Sequence, residues 1–214
     1  MKKTTVLFDF DGTIMDTNDI IVKSWQHTFL ELEGKERPLE EILETFGEPL
    51  HITMERFFPN FDVEKAIDIY RGYQFSHYKE LIELFPGMES LIKELKREGY
   101  KLAVVTSRLR NSTEEGLRKY GLMECFDAIV TADDTSKHKP DPEPAQIALQ
   151  KLHSVPQEAL MIGDSMFDVL CAKNAGIEAV LVSWAMATDA QSKLQDSKPE
   201  HVIEKAEEVW GILR

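Results

Sequence analysis

Cysteine is scarce in this chain. Cys125 and Cys171 are the only two in 214 residues, and no Cys-x-x-Cys pair occurs, which excludes a disulfide framework and a cysteine-ligated metal. Long apolar runs are missing too. None approaches 18 residues, so no membrane-spanning helix is expected. The basic start at Lys2 and Lys3 leads into an apolar run that breaks at Asp9, too short for the apolar region of a secretion signal. No targeting segment is expected, and the cytoplasm fits. Positive charge is also short: 25 Lys and Arg stand against 38 Asp and Glu, a formal net charge of -13. That balance opposes phosphate backbones and anionic lipid, which excludes nucleic acid and a membrane surface as partners. It would equally repel a small anionic substrate, unless a metal cation or local basic groups reverse the sign inside a pocket.

What the chain has is alternation. It is 43% hydrophobic, enough at this length for one sizeable core, or for one core with a smaller inserted unit. Val6, Leu7 and Phe8 open it as a buried strand. Ile20, Ile21, Trp25, Phe29 and Leu32 then recur at three-to-four-residue spacing, which predicts an amphipathic helix over 17–34 with Trp25 on its apolar face. Helical patterns continue over 38–46, 50–58 and 62–84, broken by turn signals at Gly47-Glu48-Pro49 and Pro59-Asn60, and nothing there resembles a strand. Pro86-Gly87 opens a helix that Gly99 closes, and from there strands and helices alternate. Strands are expected over 101–106, in "FDAIVTADD", in "ALMIGDS" and in "EAVLVSW". Helices are expected near 112–120, 142–153 and 166–175, with a last one over about 200–213. This rhythm predicts a doubly wound α/β fold with a parallel sheet covered on both faces. The all-helical stretch cannot share it. The expected organisation is therefore a core of residues 1–15 and 84–214 and a helical cap of residues 16–83, with no internal repeat. A monomer is expected.

The strands end in acids and donors. In an open parallel sheet, ligands gather outside the carboxyl ends of the strands. Asp9 and Asp11 fall there after the first strand, Thr106 and Ser107 after the second, Lys139 in the loop after the third, and Asp164 after the fourth. Gathered on one edge, such carboxylates repel one another unless a cation neutralises them. Oxygen-only ligands favour Mg²⁺ over zinc. A carboxylate nucleophile attacking an anionic phosphoryl group needs the same neutralisation, which Mg²⁺, an ammonium and hydroxyl donors would supply. A second acid two residues on can protonate the leaving oxygen and later activate water, with Gly12 letting the backbone turn between the two.

With Asp9-x-Asp11-Gly12-Thr13, Thr106-Ser107, Lys139-Pro140 and Gly163-Asp164-Ser165-x-x-Asp168 in this order, the chain resembles the haloacid dehalogenase superfamily over nearly its whole core. The resemblance implies Asp9 as nucleophile, Asp11 as general acid and base, Thr106 as phosphate-binding hydroxyl with Ser107 assisting, and Lys139 as charge-stabilising amine. It implies Mg²⁺ held by Asp9, the Asp11 backbone carbonyl and Asp164. Asp168 would join the metal site from further out, or hold Lys139. The helical insert looks like the cap of the branch containing phosphoglycolate phosphatase, β-phosphoglucomutase and an inorganic pyrophosphatase. The nearest likeness is to the pyrophosphatase, carried by "TSRLRNSTEEGLRKYG", "FDAIVTADDTSKHKPDPEP", "GDSMFDVLCAKNAG" and "YRGYQ". The superfamily's dehalogenases differ, because they lack the acid present here as Asp11.

The expected substrate is thus a small anionic phosphate compound: inorganic pyrophosphate first, then phosphoglycolate or another small phosphomonoester, with a phosphosugar mutase as a further alternative. Asp11 argues against a phospho-accepting switch, which must keep its acyl-phosphate and needs no positioned base. Arg71 and Arg108 are candidates to reach a second phosphoryl group. Gly47-Glu48-Pro49-Leu50 is either a substrate-facing loop or a plain turn. Asp16 is read as a helix cap. His51, His77 and His138 are not spaced as a ligand set.

Overall fold

The computed structural model describes residues 2–46, 48–186 and 198–213. A six-stranded parallel sheet forms its centre. The strands are β1 (Thr5–Phe8), β4 (Lys101–Val105), β5 (Ala128–Val130), β6 (Ala159–Gly163), β7 (Glu178–Val182) and β8 (His201–Ile203), in the spatial order β5-β4-β1-β6-β7-β8. The first strand therefore lies between β4 and β6, where the winding direction of the sheet reverses, and ligands of such folds collect at that switch point. Register brings the strand ends level: Phe8 pairs with both Val104 and Ile162. The next residue of β1 is then Asp9, whose N–H donates to the Ile162 carbonyl at 2.8 Å.

Period-two alternation sorts the strand residues onto two faces. Val6, Phe8, Leu102, Val104, Leu160 and Ile162 pack on one face with helix α5 (Met88–Arg97) and the C-terminal α9 (Val209–Leu213). Leu7, Ala103, Val105 and Met161 pack on the other with α7 (Glu143–Lys151) and α8 (Met166–Asn174). Both faces are covered, which is why the strands read as continuous apolar runs. No helix among the described residues is long and apolar enough to cross a membrane.

Four helices lie between β1 and α5: α1 (Asn18–Glu33), α2 (Leu39–Leu43), α3 (Leu50–Phe57) and α4 (Val63–Leu81). They enclose a separate apolar cluster in which Trp25, Phe29, Ile42, Met54, Phe58 and Tyr70 are buried. Trp25 is packed there as its helical spacing predicts, 5.1 Å from the Tyr70 ring. Asp16 accepts from the Asn18 N–H at 3.1 Å, one residue before the N-cap of α1. The last turns of α4 belong to the other side: Tyr78 and Ile82 join the sheet's cluster. Lys119, at the end of α6 (Arg110–Lys119), donates to the carbonyls of Lys79 and Ile82 at 2.7 and 2.9 Å. Those carbonyls are among the groups a helix end leaves unpaired, so α4 is tied at its C-terminus to α6.

Two expectations are corrected. The segment over 200–213 is not one helix but strand β8, a 3₁₀ turn at Ala206–Glu208 and the short α9. His201-Val202-Ile203 pairs in parallel with β7, burying Ile203 and exposing Val202, an edge strand too short for its alternation to register in sequence. The helical stretch also contains a strand after all. Two-residue strands β2 (Met15–Asp16) and β3 (Glu83–Leu84) pair antiparallel at the two ends of the helical stretch. Their pairing is non-local, so no local pattern announces it.

Candidate active site

Asp9, Asp11, Thr106, Ser107, Lys139 and Asp164 all line one cavity of roughly 180 Å³ beyond the carboxyl ends of β1, β4 and β6. At its floor Lys139, 4% exposed, donates to Asp9 Oδ1 at 2.6 Å, to Asp168 Oδ1 at 2.5 Å and to the Val105 carbonyl at 3.3 Å. Burial alone would push this ammonium down, but Asp168 and Asp9 overrule it and hold it above the ordinary lysine value. The amine therefore stays charged.

The acids feel the same burial in the opposite sense. Loss of solvent raises the Asp9 carboxyl to about 7, with Lys139 pulling it down and Asp168 adding to the rise. Asp164 is raised well above its ordinary value by burial, then by Asp168 and Asp9. One carboxylate oxygen from each of Asp9, Asp164 and Asp168 lies within 4.8 Å of the others, and this is the one such group of His, Cys, Asp or Glu among the described residues. Three buried acids against one ammonium leave negative charge to be balanced, and their donors are all oxygen. That chemistry fits a hard divalent cation. No histidine takes part: His51 lies near Glu55 and Glu64, His77 stacks on Tyr73, and His138 faces Thr135.

Asp168 is within reach of such a cation, yet both its oxygens are engaged. Oδ1 accepts from Lys139, and Oδ2 accepts from the Ser165 N–H at 3.1 Å and the Ser165 hydroxyl at 2.6 Å. Ser165 and Asp168 form a capping box at the start of α8, so one side chain anchors the helix and the amine together.

Gly12 is required twice over. Its φ of +76° is left-handed, and a Cβ there would lie 2.1 Å from Asp164 Oδ2. The turn after Asp11 thus presses the backbone against the Asp164 carboxylate. Asp11 itself turns toward the helical side of the cavity, where its Oδ1 accepts from Arg108 Nη1 at 2.9 Å. Thr106, buried, accepts from the Arg108 N–H at 3.1 Å, and Ser107 is half-buried beside it.

The two arginines part company. Arg71, on α4, is exposed and lines the cavity rim. Arg108 is 9% exposed and its guanidinium lies 4.4 Å from the centre of the Tyr78 ring. Burial works against its charge, but Asp11, Tyr78 and Tyr70 hold it protonated. Glu48, Pro49 and Leu50 line the cavity, and Gly47 lies outside the described residues. Sequence reasoning missed Thr17, Asn18, Tyr70, Gln74 and Ser112 in the lining. Tyr70, Gln74 and Tyr78 recur every four residues on α4, a spacing that places them on one face and was the available signal.

Residues 6–182 match the family described as haloacid dehalogenase-like hydrolase. A pyrophosphatase, PpaX, of Bacillus mycoides is 38% identical over 213 residues, covering 100% of this chain and 98% of that one. A haloacid dehalogenase-like family hydrolase from Streptococcus pneumoniae superimposes with a TM-score of 0.86 at 26% identity, over 99% of each chain. CbbY from Rhodobacter sphaeroides, solved in complex with phosphate, shares the fold with a TM-score of 0.84 at 24% identity, over 98% of this chain and 96% of that one.

Proposed function

The chain belongs to the haloacid dehalogenase-like hydrolases, and from that premise we propose that it is a Mg²⁺-dependent inorganic pyrophosphatase working through an aspartyl-phosphate on Asp9. The observation that carries the reading is the buried Asp9–Lys139–Asp168 chain with a second acid, Asp11, two residues from the nucleophile and facing the same cavity. Asp9 attacks the phosphoryl group and displaces the leaving oxygen, which takes its proton from Asp11. Asp11 then removes a proton from water, and that water cleaves the acyl-phosphate. Thr106 and Ser107 donate hydrogen bonds to the transferring phosphoryl oxygens, and Lys139 offsets their charge. Asp168 keeps that ammonium in place. Asp9, Asp164 and the Asp11 backbone carbonyl would hold Mg²⁺, which supplies further neutralisation of the phosphoryl charge. The helical segment acts as a cap that encloses the substrate and excludes bulk water. The similarity to PpaX supports pyrophosphate as the substrate.

The test is phosphate release by purified protein with Mg²⁺ on pyrophosphate, phosphoglycolate and hexose 1-phosphates at matched concentration, with Asp9→Asn as control. Pyrophosphate should lead, and Asp9→Asn should lose at least about 1000-fold. Full activity in Asp9→Asn would remove the covalent mechanism. A phosphoglycolate preference would remove the pyrophosphatase reading and leave the mechanism standing.

A further inference from the structure

The geometry points to Arg108 as the specificity-determining residue, a guanidinium that favours a leaving group carrying its own negative charge. The inference rests on the phosphohydrolase reading and adds to it the class of leaving group. Arg108 is more than nine-tenths buried, and one of its nitrogens, Nη1, is committed to Asp11. The other two, Nε and Nη2, are shielded from solvent and make no hydrogen bond among the described residues, with the Tyr78 hydroxyl nearby likewise unbonded. A buried donor without an acceptor is costly, and a guanidinium cannot shed its charge to escape that cost. The Tyr78 ring against its face fills the space on that side.

Its position tells which part of a substrate meets it. The transferring phosphoryl group belongs beside Asp9, Thr106 and Lys139. The leaving oxygen belongs beside Asp11, which supplies the proton. Whatever departs is therefore handed to the side of Asp11 where Arg108 stands. Arg108, Arg71 and Gln74 line this cavity and also a second one of roughly 370 Å³ between α4 and α6. The acids on this distal side have partners of their own, Glu115 in Lys79 at 2.8 Å and Asp133 in the Arg110 N–H at 2.7 Å. Arg108 and Arg71 are cationic, whereas Glu48 is already taken by Arg56 at 2.7 Å and the Thr53 hydroxyl at 2.8 Å. Nε and Nη2 form one edge of the guanidinium, and two parallel N–H groups on such an edge match the oxygens of a phosphate or carboxylate, the geometry arginine is built for. A neutral leaving group supplies no such acceptor.

The experiment compares kcat and KM for substrates that differ in leaving-group charge: pyrophosphate and phosphoglycolate against p-nitrophenyl phosphate. Arg108→Met should lower kcat/KM for the first two roughly 10- to 100-fold more than for the third, with raised KM, and Arg108→Lys should fall between. An equal loss on all three would overturn the proposal, because that is the signature of a residue that only stacks on Tyr78 or positions Asp11. Should Arg108→Met fail to fold, Arg108→Lys carries the test by calorimetry. Its affinity for methylenediphosphonate should drop about 10-fold with methylphosphonate binding unchanged, and parallel changes would again overturn the proposal. The pyrophosphatase reading is judged separately, on the wild-type ranking of substrates. If phosphoglycolate leads there, an Arg108-dependent preference for charged leaving groups still stands.

Discussion

Replacing Lys139 by Met keeps the length of the side chain and removes the ammonium that Asp9 and Asp168 share at 2.6 and 2.5 Å. Three buried carboxyls would then face one another with no cation between them. Breaking a buried pair by deleting one partner costs about 3–5 kcal/mol. In a chain of this size about 1 kcal/mol moves the melting temperature by roughly 2–4 °C, so Lys139→Met should melt about 6–20 °C lower near pH 8 in chelator-treated buffer. The sign of the pH effect follows from Asp9 and Asp164, both raised by burial. Between the ordinary carboxyl value and about 7 the folded state holds more protons than the unfolded chain, so these groups lower stability as pH rises through that window. Without Lys139 they rise further, and the deficit against wild type should shrink as the pH is lowered toward about 5. Mg²⁺ at a concentration 100-fold above the variant's dissociation constant should stabilise the variant by about 2.7 kcal/mol over its metal-free form. Circular dichroism melts of both proteins at the two pH values, with and without Mg²⁺, read all three effects. A variant within about 1 kcal/mol of wild type near pH 8 without divalent ion, or a deficit indifferent to pH, would refute the reasoning.

Other substitutions probe neighbouring points. Gly12→Ala should destabilise by about 1–3 kcal/mol and weaken Mg²⁺ binding measured by calorimetry, because the new methyl meets Asp164 and the backbone is left-handed. Ser165→Ala removes half of the α8 capping box and should cost about 0.5–2 kcal/mol by urea denaturation, with reduced turnover because Asp168 loses its orienting contact. In Gly72→Ala the direction reverses. Gly72 lies inside α4, where a Cβ would meet nothing within 4 Å, so alanine should stabilise by about 0.5–1 kcal/mol; a lower melting temperature would show that α4 needs a glycine there.

Much of the site was legible because it is local. Val6 to Asp9 and Leu160 to Asp164 each carry a buried strand and the acid at its end within a few residues, and a parallel sheet forces such ends to one edge. Thr106 was readable for the same reason. Lys139 was readable as a strand-end cation, but its embrace by two acids was not, since Asp9 is 130 residues away in sequence. Arg108 shows the gap most clearly. As a residue following a hydroxyl pair it was one of two equal candidates, and only packing against Tyr78 and a bond to Asp11 across 97 residues distinguished it from the exposed Arg71.

By itself, then, the sequence determined the elements, their alternation and the acids at the strand ends, because periods of 2 and 3.6 and the chemistry of a strand terminus are written within a single stretch of chain. Tertiary structure alone decided the order β5-β4-β1-β6-β7-β8, the pairing of β8 and of β2 with β3, and the attachment of α4 to α6. It also decided which arginine is buried beside Asp11. These are contacts between distant segments, settled by which apolar faces bury together and which buried charges find a partner.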